Sequence, residues 1–195
     1  MPRDEACERL KLDPGLPILL VMGGSQGASS VNQLLFKVVP LMTGLAFQII
    51  HLTGERDERL AVANYLREGV GHYVAPFHHA MEEVYSAADM VVSRAGAASL
   101  GELSHFGLPS VLIPYPFAAD DHQTANARVF ADAGAAEMFA EREISPTPFA
   151  ALLSNLLTDP ARREKMAAAA AKILPRNAAG NVADEVARAV AGRAS

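Results

Sequence analysis

Tryptophan is missing from this 195-residue chain, cysteine occurs once, at Cys7, and aromatic residues make up only 6%, so the core must be largely aliphatic. A single cysteine forms no internal disulfide, and a reducing, cytoplasmic setting is expected. Long apolar runs are scarce as well. The longest, Leu34 to Ile50, is interrupted by Lys37, Pro40 and Gly44, so no transmembrane helix is expected. Met1-Pro2-Arg3-Asp4-Glu5 lacks the basic start and apolar centre of a secretory signal. Clustered positive charge is absent too: 17 Lys and Arg stand against 22 Asp and Glu, a net charge of −5, and Arg162-Arg163 is only a short basic pair. Nonspecific nucleic-acid binding needs many cations to displace phosphate counterions, so no nucleic-acid partner is expected. The six histidines are scattered apart from His78-His79, and no H-x-x-x-H or H-E-x-x-H occurs. Neither a metal nor another cofactor is therefore expected.

What is present is a chain half apolar and one-fifth charged, the balance of a globular domain. Short apolar runs alternate with amphipathic stretches, predicting a doubly wound, Rossmann-like α/β fold around a parallel sheet. The predicted strands are 17–22, 46–52, 72–75, 89–93, 110–114 and 135–139. Helical spacing covers 28–42, 57–68, 80–87, 97–106 and 121–133. Ser145-Pro146-Thr147-Pro148 and Asp159-Pro160 open two further helices, since proline is tolerated in a first turn, and 177–195 reads as a last amphipathic helix. Residues 1–15 are expected to be a linking segment and 16–195 the domain.

Three segments at predicted strand ends carry chemistry. Gly23-Gly24-Ser25-Gln26-Gly27-Ala28 joins a strand to a helix start, where free N–H groups and the helix dipole favour an anion such as phosphate. A tight turn with no ligand would show the same spacing. The dinucleotide pattern G-x-G-x-x-G is absent, and no acidic residue ends the second strand, where His51-Leu52-Thr53 stands. Ser93-Arg94-Ala95-Gly96-Ala97-Ala98-Ser99 opens a second helix, with Glu102 one turn further on. That carboxylate suits the two hydroxyls of a ribose, or simply a solvated helix face. Pro114-Tyr115-Pro116-Phe117 leads into Asp121-His122-Gln123 and Asn126, donors and acceptors suited to a neutral sugar, although Asp121 could serve only as a helix cap. All three lie where an open α/β sheet binds its ligand, and together they point to a nucleotide-sugar site.

The same segments, with Asn32, resemble the carboxyl-terminal half of glycosyltransferase family 28, and in particular its members that complete lipid II. Those enzymes move N-acetylglucosamine from UDP to undecaprenyl-pyrophosphoryl-MurNAc-pentapeptide in peptidoglycan synthesis, on a two-domain GT-B fold. The resemblance runs from about Leu16 to the tail. It implies that Ser25, with Gln26 and Gly27, contacts the diphosphate. The main chain at His78 would read the uracil edge, and Phe77 and Met81 would pack beside that base. Glu102 would hold the ribose hydroxyls, the Ala97 N–H would touch the sugar and Gln123 would bind its hydroxyls; Ala98, Ser99 and Asn126 complete the donor-binding set. Two positions depart from the family: a second sugar-binding glutamine reads as Thr124, and a hydrophobic residue beside uracil reads as His78. A family arginine that contacts phosphate corresponds roughly to Arg3.

The resemblance also implies an inverting hexosyltransferase whose general base and membrane-facing patch lie in an amino-terminal acceptor half not found in these residues. The expected partners are UDP-N-acetylglucosamine and that acceptor half, attached or as a separate subunit. The expected location is cytoplasmic, with peripheral contact at the inner face of the plasma membrane through the other half. A donor subunit of a split glycolipid or polysaccharide transferase, or a noncatalytic nucleotide-sugar-binding module, are the alternatives.

Overall fold

Six strands, β1 (Ile18–Met22), β2 (Gln48–Leu52), β3 (Gly71–Ala75), β4 (Met90–Ser93), β5 (Ser110–Leu112) and β6 (Ala136–Met138), form one parallel sheet in the order β3-β2-β1-β4-β5-β6. The structure is a computed structural model that describes residues 1–23, 28–174 and 178–191. Ser25, Gln26 and Gly27, expected at the diphosphate, lie outside the described residues. The helices are α1 (Arg3–Leu10), α2 (Ser29–Val38), α3 (Glu58–Glu68), α4 (Met81–Ala87), α5 (Ala97–Phe106), α6 (His122–Asp132), α7 (Pro146–Thr158), α8 (Pro160–Ala170) and α9 (Ala178–Ala191).

The central strands are apolar throughout because both faces of the sheet are covered. Ile18, Leu20 and Met22 of β1 join Ile50, Val91 and Leu112 in a core roofed by α1, α4, α5 and α6. Leu19 and Val21 point the other way, joining Ile49, Met90, Val92 and Val111 beneath α2, α3 and α7. Successive side chains of a strand alternate faces, which divides one apolar run between two cores. Helix ends follow the local sequence. Asp159 accepts from the Arg162 N–H at 2.9 Å to start α8. Gly107 ends α5 at φ +63°, where a Cβ would also lie 3.4 Å from the Ala167 carbonyl oxygen.

The segment expected to link, residues 1–15, contains the helix α1. Ala6, Cys7 and Leu10 are buried against α4 and the first core, and the charged remainder of Arg3–Leu10 obscured that narrow apolar face. Burial raises the Cys7 thiol pKa above its ordinary value. Arg3 donates to the Pro14 and Leu16 carbonyls and pairs with Asp89 at 2.6 Å. Asp89 also accepts from the Ile18 N–H, so Arg3 stands at the amino ends of β1 and β4, the opposite edge from the strand ends expected to bind phosphate. Its reading as a phosphate contact is corrected accordingly. Among the described residues, no helix is long and apolar enough to cross a membrane.

Candidate functional site

Sheet order decides where a ligand can enter. The chain leaves β1 toward β2 on one side and returns to β4 on the other, so the loops after β1 and β4 part and leave a crevice at the carboxyl edge. Met22 is in register with Ser93, which sets Gly23 beside Arg94 where the two loops begin. A cleft of about 390 Å³ opens there, lined by Gly23, Ala28, Ser29, Ser30, Arg94, Tyr115 and Gln123. The amino end of α2 forms one wall, and Arg94 leads on from it to the start of α5. The N-cap residues of the two helices, Ala28 and Gly96, make no side-chain cap, so among the described residues the first-turn N–H groups of both have no side-chain partner and can meet an anionic or hydroxyl-bearing ligand.

Glu102 lies on α5 beyond the small residues Ala97, Ala98 and Ser99. Its Oε2 accepts from the Tyr85 hydroxyl at 2.7 Å, which fixes the carboxylate while leaving Oε1 for another donor. Burial, followed by the Glu102 contact, raises the Tyr85 phenol pKa, so it stays protonated and serves as a donor.

Arg94 is a residue whose role the sequence reading missed. Its buried guanidinium donates to the Ile113 and Pro114 carbonyls and to the Ser30 hydroxyl, pairs with Glu141 at 2.6 Å and lies 5.4 Å from the centre of the Tyr115 ring. These contacts link the loop after β4 to the first turn of α2, the end of β5 and the loop after β6.

Gln123 and Asn126 bind protein before they bind any ligand. The Gln123 Oε1 accepts from the Ala95 N–H at 3.2 Å and the Tyr115 N–H at 3.0 Å, while Asn126 donates to the Ala95 carbonyl at 3.1 Å. The Gln123 amide nitrogen is left to donate outward. Thr124 donates to Asp121 at 2.6 Å. Asp121 occupies the N-cap position of α6 without a side-chain cap, and both it and Asp120 have positive φ, 51° and 49°. Such backbone in aspartates at a cleft edge is a local strain that the surrounding contacts must maintain. Phe117, in the same loop, is 81% exposed.

Phe77 and His78 lie between β3 and α4, and Met81 is the first residue of α4, further along the carboxyl edge. Phe77 is half-exposed and meets His79 edge-on, and Met81 packs partly against the first core. The His78 ring contacts the Tyr73 hydroxyl and Glu83.

A buried polar network behind α2 also escaped the sequence reading. Asn32 donates to the Thr53 carbonyl and to Asp57, so its carbonyl oxygen is the acceptor for His51 Nε2–H at 2.9 Å. The other ring nitrogen, Nδ1, then accepts from the Tyr65 hydroxyl at 2.6 Å. Burial lowers the His51 pKa to about 3, Asp57 opposing the shift, and the ring is neutral near pH 7. Among the described residues, no group of three or more His, Cys, Asp and Glu side chains is placed to hold a metal ion.

A parallel sheet of this order, with a crevice at its switch point, is a Rossmann-like fold, and its likeness to solved glycosyltransferases makes it one half of a GT-B fold. Residues 18–184 match the glycosyltransferase family 28 C-terminal domain. The chain is 41% identical over 179 residues to the UDP-N-acetylglucosamine--N-acetylmuramyl-(pentapeptide) pyrophosphoryl-undecaprenol N-acetylglucosamine transferase of Anaeromyxobacter sp. (strain Fw109-5), spanning 91% of this chain and 47% of that protein. It is 42% identical over 165 residues to the protein of the same name from Rippkaea orientalis (strain PCC 8801 / RF-1), spanning 84% and 46%. The crystal structure of Acinetobacter baumannii MurG superposes with a TM-score of 0.82 at 31% identity, covering 89% of this chain and 52% of that one. The calicheamicin glycosyltransferase CalG4, at 19% identity and a TM-score of 0.67 over 90% of this chain and 42% of its own, shares the fold. The chain belongs to glycosyltransferase family 28 and contains its C-terminal domain. It spans about half the length of the curated relatives it matches.

Proposed function

We propose that this chain is the donor-binding half of a MurG-type transferase and holds UDP-N-acetylglucosamine for transfer to the lipid-linked muramoyl-pentapeptide, lipid I. The observation that supports this most is the cleft at the uncapped start of α2, lined by Arg94 of the loop that leads into the uncapped start of α5, where Tyr85 fixes the Glu102 carboxylate. In this reading the diphosphate lies against the start of α2, whose N–H groups suit its charge. Ser25, Gln26 and Gly27, which precede α2 in the sequence, share in that contact. The free oxygen of Glu102 takes the ribose hydroxyls, the first N–H groups of α5, at Ala97 to Ser99, face the sugar, and the outward amide of Gln123 donates to a sugar hydroxyl. Asn126 acts by holding Ala95. The loop at Phe77, His78 and Met81 receives the uracil.

In the complete enzyme the acceptor's C4 hydroxyl attacks the anomeric carbon. A new C–O bond forms with inversion, the bond to the diphosphate breaks with its electron pair on UDP, and the hydroxyl proton passes to a base in the acceptor half. Helix N–H groups stabilise the departing diphosphate without needing to reorganise. We place the reaction on the cytoplasmic side of the plasma membrane, with the acceptor half making the membrane contact. Calorimetry tests the donor site: saturable binding of UDP-N-acetylglucosamine is expected, and a folded chain that shows none rejects the proposal. Transfer to lipid I on addition of a matching acceptor half tests the rest.

A further inference from the structure

His78 stands where the family resemblance places a hydrophobic residue, and its surroundings give the substitution a consequence. Both ring nitrogens are occupied: Nδ1 lies 2.9 Å from the Tyr73 hydroxyl on β3, and Nε2 lies 3.1 Å from Glu83 Oε2 on α4. The carboxylate can only accept, so Nε2 carries the proton. The other Glu83 oxygen accepts from Arg9 Nη1 at 2.7 Å, and Arg9 also pairs with Glu5, both on α1. Glu83 is held below the usual carboxylate pKa range by Arg9 first and His78 second. The side chains of His78 and Glu83 are only 15% and 14% exposed. The main chain of His78 is different: among the described residues, neither its N–H nor its carbonyl meets a protein partner. On either side the main chain is tied down: Thr53 and Gly54 N–H groups bond the Ala75 and Pro76 carbonyls, and the Glu83 N–H bonds the Ala80 carbonyl. The N-cap of α4, Ala80, offers no side-chain cap.

We infer that His78, Glu83 and Arg9 are positioning residues for the nucleotide base, a side-chain chain that sets the register of the free His78 main chain and makes base recognition depend on α1. The inference rests on the donor-binding reading above. One N–H beside one carbonyl matches uracil, which presents O4 as acceptor and N3–H as donor; cytosine reverses that order with its amino group and bare N3. A shift of the loop should therefore reduce discrimination between the two bases more than it reduces binding of the diphosphate.

The test is calorimetric titration of UDP and CDP into the unaltered chain and into His78→Leu, Glu83→Gln and Arg9→Gln variants, with thermal melts alongside. Arg9 is half-exposed, so its variant remains a usable probe if a change at His78 disturbs folding. UDP affinity is expected to fall 3- to 10-fold in each variant, with the UDP preference over CDP shrinking by a similar factor. Arg9→Lys should restore most of the loss. The Arg9→Gln/Glu83→Gln double variant should be no weaker than Glu83→Gln, because both act through one chain of contacts. Unchanged UDP affinity in the variants, or equal losses for UDP and CDP, overturns the inference. If the unaltered chain binds UDP and Glu102→Gln weakens it while these variants do not, this inference alone fails; if the unaltered chain binds no UDP, the donor-binding reading and the inference fall together.

Discussion

Glu102 and His51 show how differently a hydrogen bond from a tyrosine can serve a single side chain. The Tyr85 hydroxyl satisfies one oxygen of Glu102 and aims the other, so the charge remains available to a ligand. Glu102→Gln should therefore weaken UDP binding about 10-fold or more, on the scale of about 1.5–3 kcal/mol for hydrogen bonds to charged groups. Calorimetry reads that loss, and a melting temperature near that of the unaltered chain separates it from unfolding. His51 has no such freedom, since both nitrogens are used within the core. Its folded pKa is lowered to about 3, so below pH 6.5 the unfolded chain takes up a proton that the folded chain refuses. Stability from this group is present above pH 6.5 and is lost as pH falls toward 3, amounting to about 2 kcal/mol between pH 7 and pH 5. Urea unfolding at the two pH values should show the loss, and a His51→Gln variant should show a smaller pH dependence.

At the scale of elements, the site depends on loops held by neighbouring loops. Gln123, in the first turn of α6, accepts from main-chain N–H groups after β4 and β5, which makes it a clamp and a donor at once. Gln123→Glu keeps the acceptor, removes the outward amide donors and adds a negative charge to the cleft. Repulsion of the diphosphate should weaken UDP and UDP-N-acetylglucosamine alike, and the nucleotide sugar should lose a further factor of roughly 2 to 10, about one hydrogen bond's contribution; parallel titrations compare the two. Most elements were legible because apolar period, proline and glycine agreed locally. The reading of 97–106 matches α5 at both ends, and Asp159-Pro160 opens α8 with the cap its sequence suggests. Helix α1 was not legible. Its buried face is Ala6, Cys7 and Leu10 among charged neighbours, a signal too narrow to stand out without α4 to pack against.

For the whole molecule, ligand binding and stability are coupled. Saturating UDP-N-acetylglucosamine at about 100 times its Kd should stabilise the fold by about 2.7 kcal/mol and raise the melting temperature by roughly 5–10 °C for a domain of this size. Thermal melts with and without the nucleotide sugar measure this directly. Because the chain spans about half the length of its curated relatives, turnover is expected only with an acceptor half present. Transfer to lipid I by the chain without that half would contradict the division of labour proposed here.

The sequence by itself determined the alternating α/β order, the helix starts rich in small residues, and the polar residues collected at strand ends, because these follow from local periodicity and turn chemistry. It did not reveal that Arg94 joins Ser30 to the Ile113 and Pro114 carbonyls, that Gln123 divides its amide between protein and cleft, or that Arg3 lies at the sheet's amino edge. Nor did it show that His78 is tied through Glu83 to α1. Each depends on which strands are neighbours and which way a side chain turns from them. Those relations arise only when two apolar faces of one sheet are buried at once, bringing residues far apart in sequence to the same edge.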